Sequence, residues 1–482
     1  MKILVGYPPL KSKKGTPLLS QNRQFQYFSN PTYIYPVIPA TAATLLKQNG
    51  YEVVWLDCIV EGIDLLDFFR FIQNEKPDVL AFETKTPVIK EHWQIINLLK
   101  ERFPKIRLVM FGDHVTARPE ESLLMSKVDY IITGGDFDFS LLGLCNFING
   151  KGKMPKGIWY RKNGIVKNNG KFELKHNLNE LPFADRELTK WWLYQKEYNM
   201  KFKPYAYIMS GRDCWWGKCS FCAWPQIFPK FRVRSVNNVL DEIGMLIEKY
   251  GVKEIFDDSG TLMVGKWLNE LCNGLIERGY NTKIKYSCNM RFGCLSEEDY
   301  KLMKSAGFRL LKFGLESANQ DTLDRLNKNI KVSDIVEGCK LARAAGLEVH
   351  LTMIVGYPWE TKEDAFNTLR LAKKLMKDGD AHVLQATVIV PYPGTKLFGE
   401  AVKNNWFKFD PKEYERYDMS EPVLKTLMSE KEVMNICGGI YMIFLSPRYM
   451  LHQLSRIKSL KELKYTLSGV KAVVGHLRDF VR

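Results

Sequence analysis

The sequence predicts an α/β protein with two sheet-containing units. Residues 1–150 are predicted to form a doubly wound parallel sheet, and residues 201–400 a partial (β/α)6 barrel. Two observations support this: short apolar strands alternate with helical segments through both stretches, and turn residues separate them. Residues 151–200 are predicted to be a linker, and residues 401–482 a small, separate α-helical region.

Composition indicates a globular protein and excludes several classes. The chain has 482 residues, 45% hydrophobic and 26% charged, and a net charge of +16. Such a charge suits nucleic acid, an anionic membrane or an acidic ligand, or reflects a lysine-rich proteome. No run of five basic residues occurs, so no nucleic-acid partner is expected. Without a signal peptide or a long apolar stretch, we expect a cytoplasmic protein with reduced or metal-bound cysteines.

The first unit contains five buried-strand patterns separated by helices. The strand segments are MKILVGY, EVVWLDC, PDVLAFET, IRLVMFGD and VDYIITGG. Ligands of doubly wound sheets bind beyond the carboxyl ends of the strands. Those ends carry Tyr7, Pro8, Pro9, Glu83, Thr84, Gly112, Asp113, His114, Gly134, Gly135 and Asp136. His92 lies beside Trp93 in a helical segment and is predicted to be a surface residue.

This first unit resembles the cobalamin-binding, flavodoxin-like domain that precedes radical S-adenosylmethionine (SAM) domains. The resemblance rests on YPP after the first strand, GDHVTARPEESL after the fourth and VDYIITGGDFDFSLL at the fifth, with departures at Asp113 and Asp136. It implies cobalamin, with candidate binding residues Tyr7, Pro8, Gly112, His114, Gly134 and Gly135. The histidine signature of cobalt-ligating relatives is absent after the first strand, so we expect no histidine lower ligand. An empty module of the same fold is the alternative.

The predicted linker begins with a hairpin pattern. The segment KGIWYRKNGIVKNNGKFEL carries Asn-Gly turn residues between short β-type runs. The following segment, NLNELPFADREL, resembles the connection between the two domains in the same family.

Three cysteines in the string MSGRDCWWGKCSFCAW carry the predicted chemistry. Cys214, Cys219 and Cys222 lie in one short loop, and no other Cys or His occurs between residues 177 and 271. Three thiolates can hold three irons of a [4Fe–4S] cluster and leave the fourth open, whereas an electron-transfer cluster takes a fourth cysteine. Zinc is the alternative, but it would require a fourth ligand nearby.

The cysteine loop resembles the radical SAM signature, with one extra residue in its first gap. Four residues separate Cys214 from Cys219, where the family usually has three. The departure puts the shape of the loop, and assignment to a standard subgroup, in doubt. The resemblance implies a [4Fe–4S] cluster on these cysteines, SAM as co-substrate, and Phe221 at the position that packs adenine.

Candidate site residues lie at or near the ends of the strands that follow the cysteine loop. These residues are Asp257, Asp258, Arg291, Glu316, Ser317, Gly356 and Gln385. Strand ends of such a barrel form the active site. By resemblance, the DDSG segment at 257–260 binds the methionine part of SAM, Glu316 and Ser317 its ribose or amine, and IVGYPWET its adenine. Arg291 would neutralise a carboxylate; each residue alone is equally compatible with a salt bridge or a helix cap.

The C-terminal region is predicted to contain two or three helices. Residues 441–482 hold eight Lys or Arg and two Asp or Glu, a net charge of +6, beside an aromatic and Met stripe. This pattern suits a membrane surface or a long apolar substrate. The alternative, which we favour, is a helix packed on the barrel with a solvated basic face.

Together the resemblances imply a cobalamin-dependent radical SAM enzyme that forms a 5′-deoxyadenosyl radical. The expected reaction is methylation of an unactivated carbon in a lipid-like or other hydrophobic substrate. A low-potential donor, ferredoxin or flavodoxin, would reduce the cluster. The alternatives are oxidative ring formation, as in anaerobic tetrapyrrole cyclases, a non-catalytic cobalamin-binding protein, and an RNA-modifying methylthiotransferase.

Overall fold

The computed structural model describes residues 1–19, 25–197, 199–455 and Gly469. The strands of the N-terminal part are β1 (Lys2–Tyr7), β2 (Thr16–Pro17), β3 (Tyr27–Phe28), β4 (Glu52–Asp57), β5 (Val79–Glu83), β6 (Arg107–Phe111), β7 (Tyr130–Ile132), β8 (Ile158–Lys162) and β9 (Ile165–Asn168). Its helices are α1 (Val37–Gln48), α2 (Cys58–Glu61), α3 (Leu65–Glu75), α4 (Ile89–Arg102), α5 (Asp113–Ala117), α6 (Pro119–Met125) and α7 (Phe137–Ile148).

The first sheet has the order β4-β1-β5-β6-β7-β8-β9, and its first five strands are parallel. The five parallel strands follow the chain order second, first, third, fourth, fifth, which is the flavodoxin order. The predicted doubly wound sheet is confirmed. The hairpin β8–β9 forms as predicted, but it extends this sheet instead of lying in a linker, because β8 pairs antiparallel with β7.

The second unit is a six-stranded parallel sheet, which confirms the partial barrel. The remaining strands are β10 (Tyr205–Ile208), β11 (Gly211–Arg212), β12 (Arg232–Val233), β13 (Glu254–Asp257), β14 (Lys285–Met290), β15 (Phe308–Glu316), β16 (Glu348–Val355) and β17 (Val383–Val388). The remaining helices are α8 (Trp224–Ile227), α9 (Val236–Tyr250), α10 (Lys266–Glu277), α11 (Tyr280–Lys283), α12 (Glu297–Ser305), α13 (Gln320–Arg325), α14 (Val332–Ala344), α15 (Lys362–Asp378), α16 (Lys396–Lys403), α17 (Glu430–Tyr441) and α18 (Pro447–Ser455). The barrel strands run in the order β10-β13-β14-β15-β16-β17.

The two units share an apolar core. Ile3 and Val5 of β1 belong to the same buried cluster as Tyr207 of β10, Phe256 of β13 and Phe228, which follows α8. The carboxyl ends of both sheets are thereby held close to each other, which positions the site described below.

The region after residue 400 differs from the predicted separate tail. Phe407, Tyr417 and Leu424 are buried in one cluster with Leu4 and Phe82 of the first sheet. Helix α17 packs on the barrel, because the Tyr441 hydroxyl donates to the carbonyl of Ala386 at 2.9 Å. The basic residues beyond 455 lie outside the described residues. Within the described part, no helix combines the length and apolarity needed to cross a bilayer.

His92 is buried, so its predicted surface position is wrong. Helix α4 turns this side chain toward the sheet, where the ring packs edge-on against Phe82 and Nδ1 lies 2.7 Å from Thr84 Oγ1. Burial lowers the pKa of His92 from its ordinary value of 6.5 to about 3.

Candidate active site

A cavity of about 250 Å³ lies between the barrel mouth and the first unit. Cys214, Cys219 and Cys222 line one wall. Strand ends of the barrel form a second wall, and Leu18 and Phe28 of the N-terminal part close the opposite side. Because this enclosure brings thiols, charged groups and apolar walls together, it is the candidate active site.

The extra residue of the cysteine loop is accommodated by two tryptophans. Trp215 Nε1 donates to the Leu262 carbonyl at 3.1 Å, and Trp216 Nε1 donates to the Asn327 carbonyl at 2.9 Å. Gly217 follows in a left-handed conformation with φ +56°. The indoles therefore tie the longer first gap to neighbouring barrel loops.

The three thiols fit a cluster better than a single ion. All three are partly exposed and face the same cavity. Across the described residues, no three His, Cys, Asp or Glu side chains are gathered closely enough to hold one metal ion. In a [4Fe–4S] cluster each of three thiolates binds a different iron, so the three sulfur atoms need not meet at one point. Tetrahedral zinc, in contrast, takes four ligands at a single ion.

Two cations lie beside the thiols. Arg291 stacks over the Trp216 ring at 4.4 Å and donates to the Asn329 carbonyl at 2.8 Å. Burial raises the pKa of the Cys219 thiol, and Lys328 and Arg291 act in the opposite direction. Both cations would therefore favour thiolate at the cluster position.

Glu316 faces the cavity in a buried ion pair. Its carboxylate lies 2.5 Å from Lys328 Nζ, and its backbone is left-handed with φ +62°. Such conformations are uncommon for Glu and cluster at functional sites. Gly314 gives this pair its room, since a Cβ there would lie 2.2 Å from Glu316 Oε1 and 2.3 Å from Lys328 Nζ.

Asp257 and Asp258, which were both predicted to bind SAM, have different roles in the structure. Asp258 lines the cavity and accepts from Asn289 Nδ2 at 3.3 Å. Asp257 does not line it: its carboxylate accepts from the Tyr286 hydroxyl at 2.8 Å and the Ser259 hydroxyl at 2.7 Å. Asp257 therefore holds the strand end together instead of facing a ligand.

Among the other predicted SAM residues, Phe221, Gly260 and Arg291 line the cavity, and so does Gln385, which was predicted only to lie near a strand end. Ser317 and Gly356 do not. The Ser317 hydroxyl is buried and donates to Glu360 at 2.7 Å, and Gly356 adopts φ +87° against Val433. Both shape the turns behind the cavity wall.

None of the six candidates in the first unit lines this cavity. The buried Tyr7 hydroxyl donates to Glu83 at 2.6 Å beside buried Pro8, and a Cβ at Gly112 would lie 2.2 Å from the Thr84 carbonyl oxygen. His114 is fully buried, with its ring edge-on to Tyr414 at 4.7 Å.

Gly134 and Gly135 lie directly beneath two aromatic rings at the carboxyl edge of the first sheet. A Cβ there would lie 2.4 Å from the Phe172 ring and 2.0 Å from the Phe228 ring, so neither position has room for a larger side chain. An open groove of about 1360 Å³ is lined by Thr116, Thr133 and Phe172. The carboxyl edge of the first sheet is therefore compatible with cobalamin.

An ion network that sequence reasoning missed joins the two units. Arg212, two residues before Cys214, donates to Asp136 at 3.1 Å and to Asp138 at 3.0 Å. Arg232 pairs with Asp136 at 2.7 Å. Burial raises the pKa of Asp136, but these arginines and a nearby histidine outweigh it and hold that pKa below its usual range. The departure at Asp136 from the family pattern was the available signal.

The interior of the barrel holds further polar residues that the sequence did not single out. Glu197, Asn199, Lys312 and Thr352 line the cavity on the side away from the strand ends. Glu197 and Asn199 lie in the predicted linker, so their position could be recognised only from the folded chain.

Comparison with known families agrees with this architecture. Residues 32–136 match the B12 binding domain, and residues 208–372 match the radical SAM superfamily. The chain therefore combines a B12-binding domain with a radical SAM domain and is an enzyme of the radical SAM kind. These domains imply cobalamin, a [4Fe–4S] cluster and SAM as cofactors.

Two curated relatives match most of the chain. An uncharacterized methyltransferase of Pyrococcus horikoshii is 27% identical over 86% of this chain and 89% of its own length. The anaerobic magnesium-protoporphyrin IX monomethyl ester cyclase of Cereibacter sphaeroides is 25% identical over 90% of this chain and 71% of its own length.

Two solved structures share the fold. The radical SAM methyltransferase TsrM from Kitasatospora setae, solved with cobalamin and a [4Fe–4S] cluster, has a TM-score of 0.68 at 15% identity and covers 98% of both chains. The cobalamin-dependent radical SAM enzyme OxsB has a TM-score of 0.71 at 15% identity, over 98% of this chain and 71% of its own.

Proposed function

We propose that the enzyme methylates an unactivated carbon of its substrate. The observation that carries this is the cavity in which the three cysteines face the first unit across the barrel mouth. When bound, the cluster would supply the electron that converts SAM into a hydrogen-abstracting radical, and cobalamin would supply the methyl group. The methyltransferase relative from Pyrococcus horikoshii supports this reaction class.

The chain's own residues would orient these groups. Cys214, Cys219 and Cys222 would bind three irons. Glu316 and Asp258 offer carboxylate oxygens to the ammonium of SAM, and Arg291 offers a cation to its carboxylate. The groove lined by Thr116, Thr133 and Phe172 would hold part of cobalamin. The apolar residues across the cavity, Leu18, Phe28, Ile34 and Met419, would exclude water from the reacting atoms.

Oxidative ring formation is the second candidate, because the tetrapyrrole cyclase of Cereibacter sphaeroides matches 90% of the chain. The lipid-like substrate expected from the sequence depended on residues 441–482, most of which lie outside the described part.

The first test is anaerobic reconstitution with iron, sulfide and hydroxocobalamin, followed by dithionite and SAM. We expect 5′-deoxyadenosine by mass spectrometry, its loss in Cys222→Ala, and its retention in Cys294→Ala, a partly exposed cysteine outside the cavity lining. A substrate product heavier by one CH2 indicates methylation, and loss of hydrogen indicates ring formation. A fully loaded cluster that forms no 5′-deoxyadenosine with any cell extract would contradict the proposal.

A further inference from the structure

We propose that the interior of the barrel binds a polar substrate with an anionic group, a carboxylate or phosphate, held by Lys312. The inference rests on the proposed function, since it names the substrate class of the same cavity. It replaces the hydrophobic substrate that the sequence suggested.

Lys312 is placed to hold one end of a molecule whose other end reaches the radical site. Lys312, Gly314 and Glu316 of β15 all line the cavity. At most about 13 Å of strand separates Lys312 from Glu316. The space over Gly314 is occupied by the Glu316–Lys328 ion pair. Because Lys312 and the three cysteines line the same cavity, a substrate anchored at Lys312 would reach the cluster through that cavity.

The wall near Lys312 is polar and buried. Glu197 accepts from Thr32 Oγ1 at 2.8 Å and from Asn199 Nδ2 at 2.9 Å. Burial raises the pKa of Glu197, and the charge of Lys312 opposes that rise. Asn199 Oδ1 is buried and has no hydrogen-bond partner among the described residues. A cation, a carboxylate and an amide oxygen therefore surround one end of the cavity, which suits a ligand with both donors and acceptors.

His350 is a neutral, buried polar residue beside Lys312, although it does not itself line the cavity. It pairs in register with Lys312 on the adjacent strand β16 and is completely buried. Burial, with the charges of Lys312 and Arg309, lowers the pKa of His350 well below its ordinary value. Neither ring nitrogen has a partner among the described residues. The imidazole therefore keeps one donor and one acceptor, and a buried polar atom left unpaired is costly.

A lipid chain fits this end of the cavity poorly. Hydrocarbon at this end would leave the buried Asn199 Oδ1 without a hydrogen bond and would add no polar contact for Lys312 or Glu197. An anionic polar ligand pairs with the same groups, and hydrogen bonds to a charged partner are the stronger kind.

The test is equilibrium dialysis of the holoenzyme, loaded with cluster, cobalamin and SAM but without reductant. The probes are the aqueous fraction and the chloroform-soluble fraction of an extract from cells that carry the gene, with bound compounds measured by mass spectrometry. Lys312→Met is compared with Lys312→Arg and with Lys266→Met, whose side chain on α10 is 91% exposed. Retained SAM in each variant shows that it is folded.

We expect anionic compounds of the aqueous fraction to be enriched on the wild type, Lys312→Arg and Lys266→Met. Enrichment on Lys312→Met should fall about tenfold, the effect of one charged hydrogen bond. Enrichment of lipids or neutral compounds, no enrichment, or an unchanged Lys312→Met would overturn the proposal. Production of 5′-deoxyadenosine after dithionite is added to the same preparations tests the proposed function separately, so each can fail alone.

Discussion

At the scale of single residues, Gly314 is the position where the smallest change should have the largest effect on the site. In Gly314→Ala, the added Cβ would overlap both Glu316 and Lys328 and force their ion pair apart. We expect about tenfold weaker SAM binding and a loss of about 1–3 kcal/mol in the free energy of unfolding from overpacking. Equilibrium dialysis with SAM and chemical denaturation measure the two effects.

The matched control is Gly399→Ala in helix α16, where no atom lies within 4 Å of an added Cβ. That change should raise stability by up to about 1 kcal/mol and leave SAM binding unchanged, because Ala favours helix over Gly. Equal behaviour of the two variants would show that the Glu316–Lys328 pair does not position SAM.

At the scale of secondary-structure elements, the contact between α4 and the first sheet should make stability depend on pH. The pKa of buried His92 is about 3, against an ordinary value of 6.5, so the unfolded chain binds more protons between these values. The contribution of neutral His92 to the free energy of unfolding is therefore complete above pH 6.5. It falls as the pH drops, by about 2 kcal/mol at pH 5. Denaturation of His92→Asn at pH 7.5 and pH 5 should show a pH dependence smaller by that amount. His452→Asn, partly exposed, serves as control, and parallel pH profiles of wild type and His92→Asn would refute the assignment.

Elements also show how far the sequence could predict the structure. The strands and the cysteine loop were predictable because apolar alternation and ligand spacing are local properties. The choice between Asp257 and Asp258 was not, because adjacent residues on a strand point to opposite faces and Tyr286 of the next strand takes one of them. Likewise, Glu197 reaches the cavity only because the segment before β10 folds back toward the barrel interior, and nothing in its neighbours indicates that path.

At the scale of the whole molecule, the ion network between the units should control how well the cysteine loop holds its cluster. Asp138→Asn would leave Arg212 buried with a weakened partner, and Arg212 lies two residues from Cys214. Leaving a buried charge without any partner typically costs about 3–5 kcal/mol. Because Arg212 keeps Asp136 as a partner, we expect a smaller loss of about 1–3 kcal/mol, together with less iron bound per chain. Asp67→Asn removes an exposed pair with Arg70 and should cost less than about 1 kcal/mol.

Because Arg212→Met with Asp138→Asn removes both charges, that double variant should recover part of the stability. If iron content is the same in Asp138→Asn and Asp67→Asn, the two units contribute to cluster binding independently, and the network only joins them.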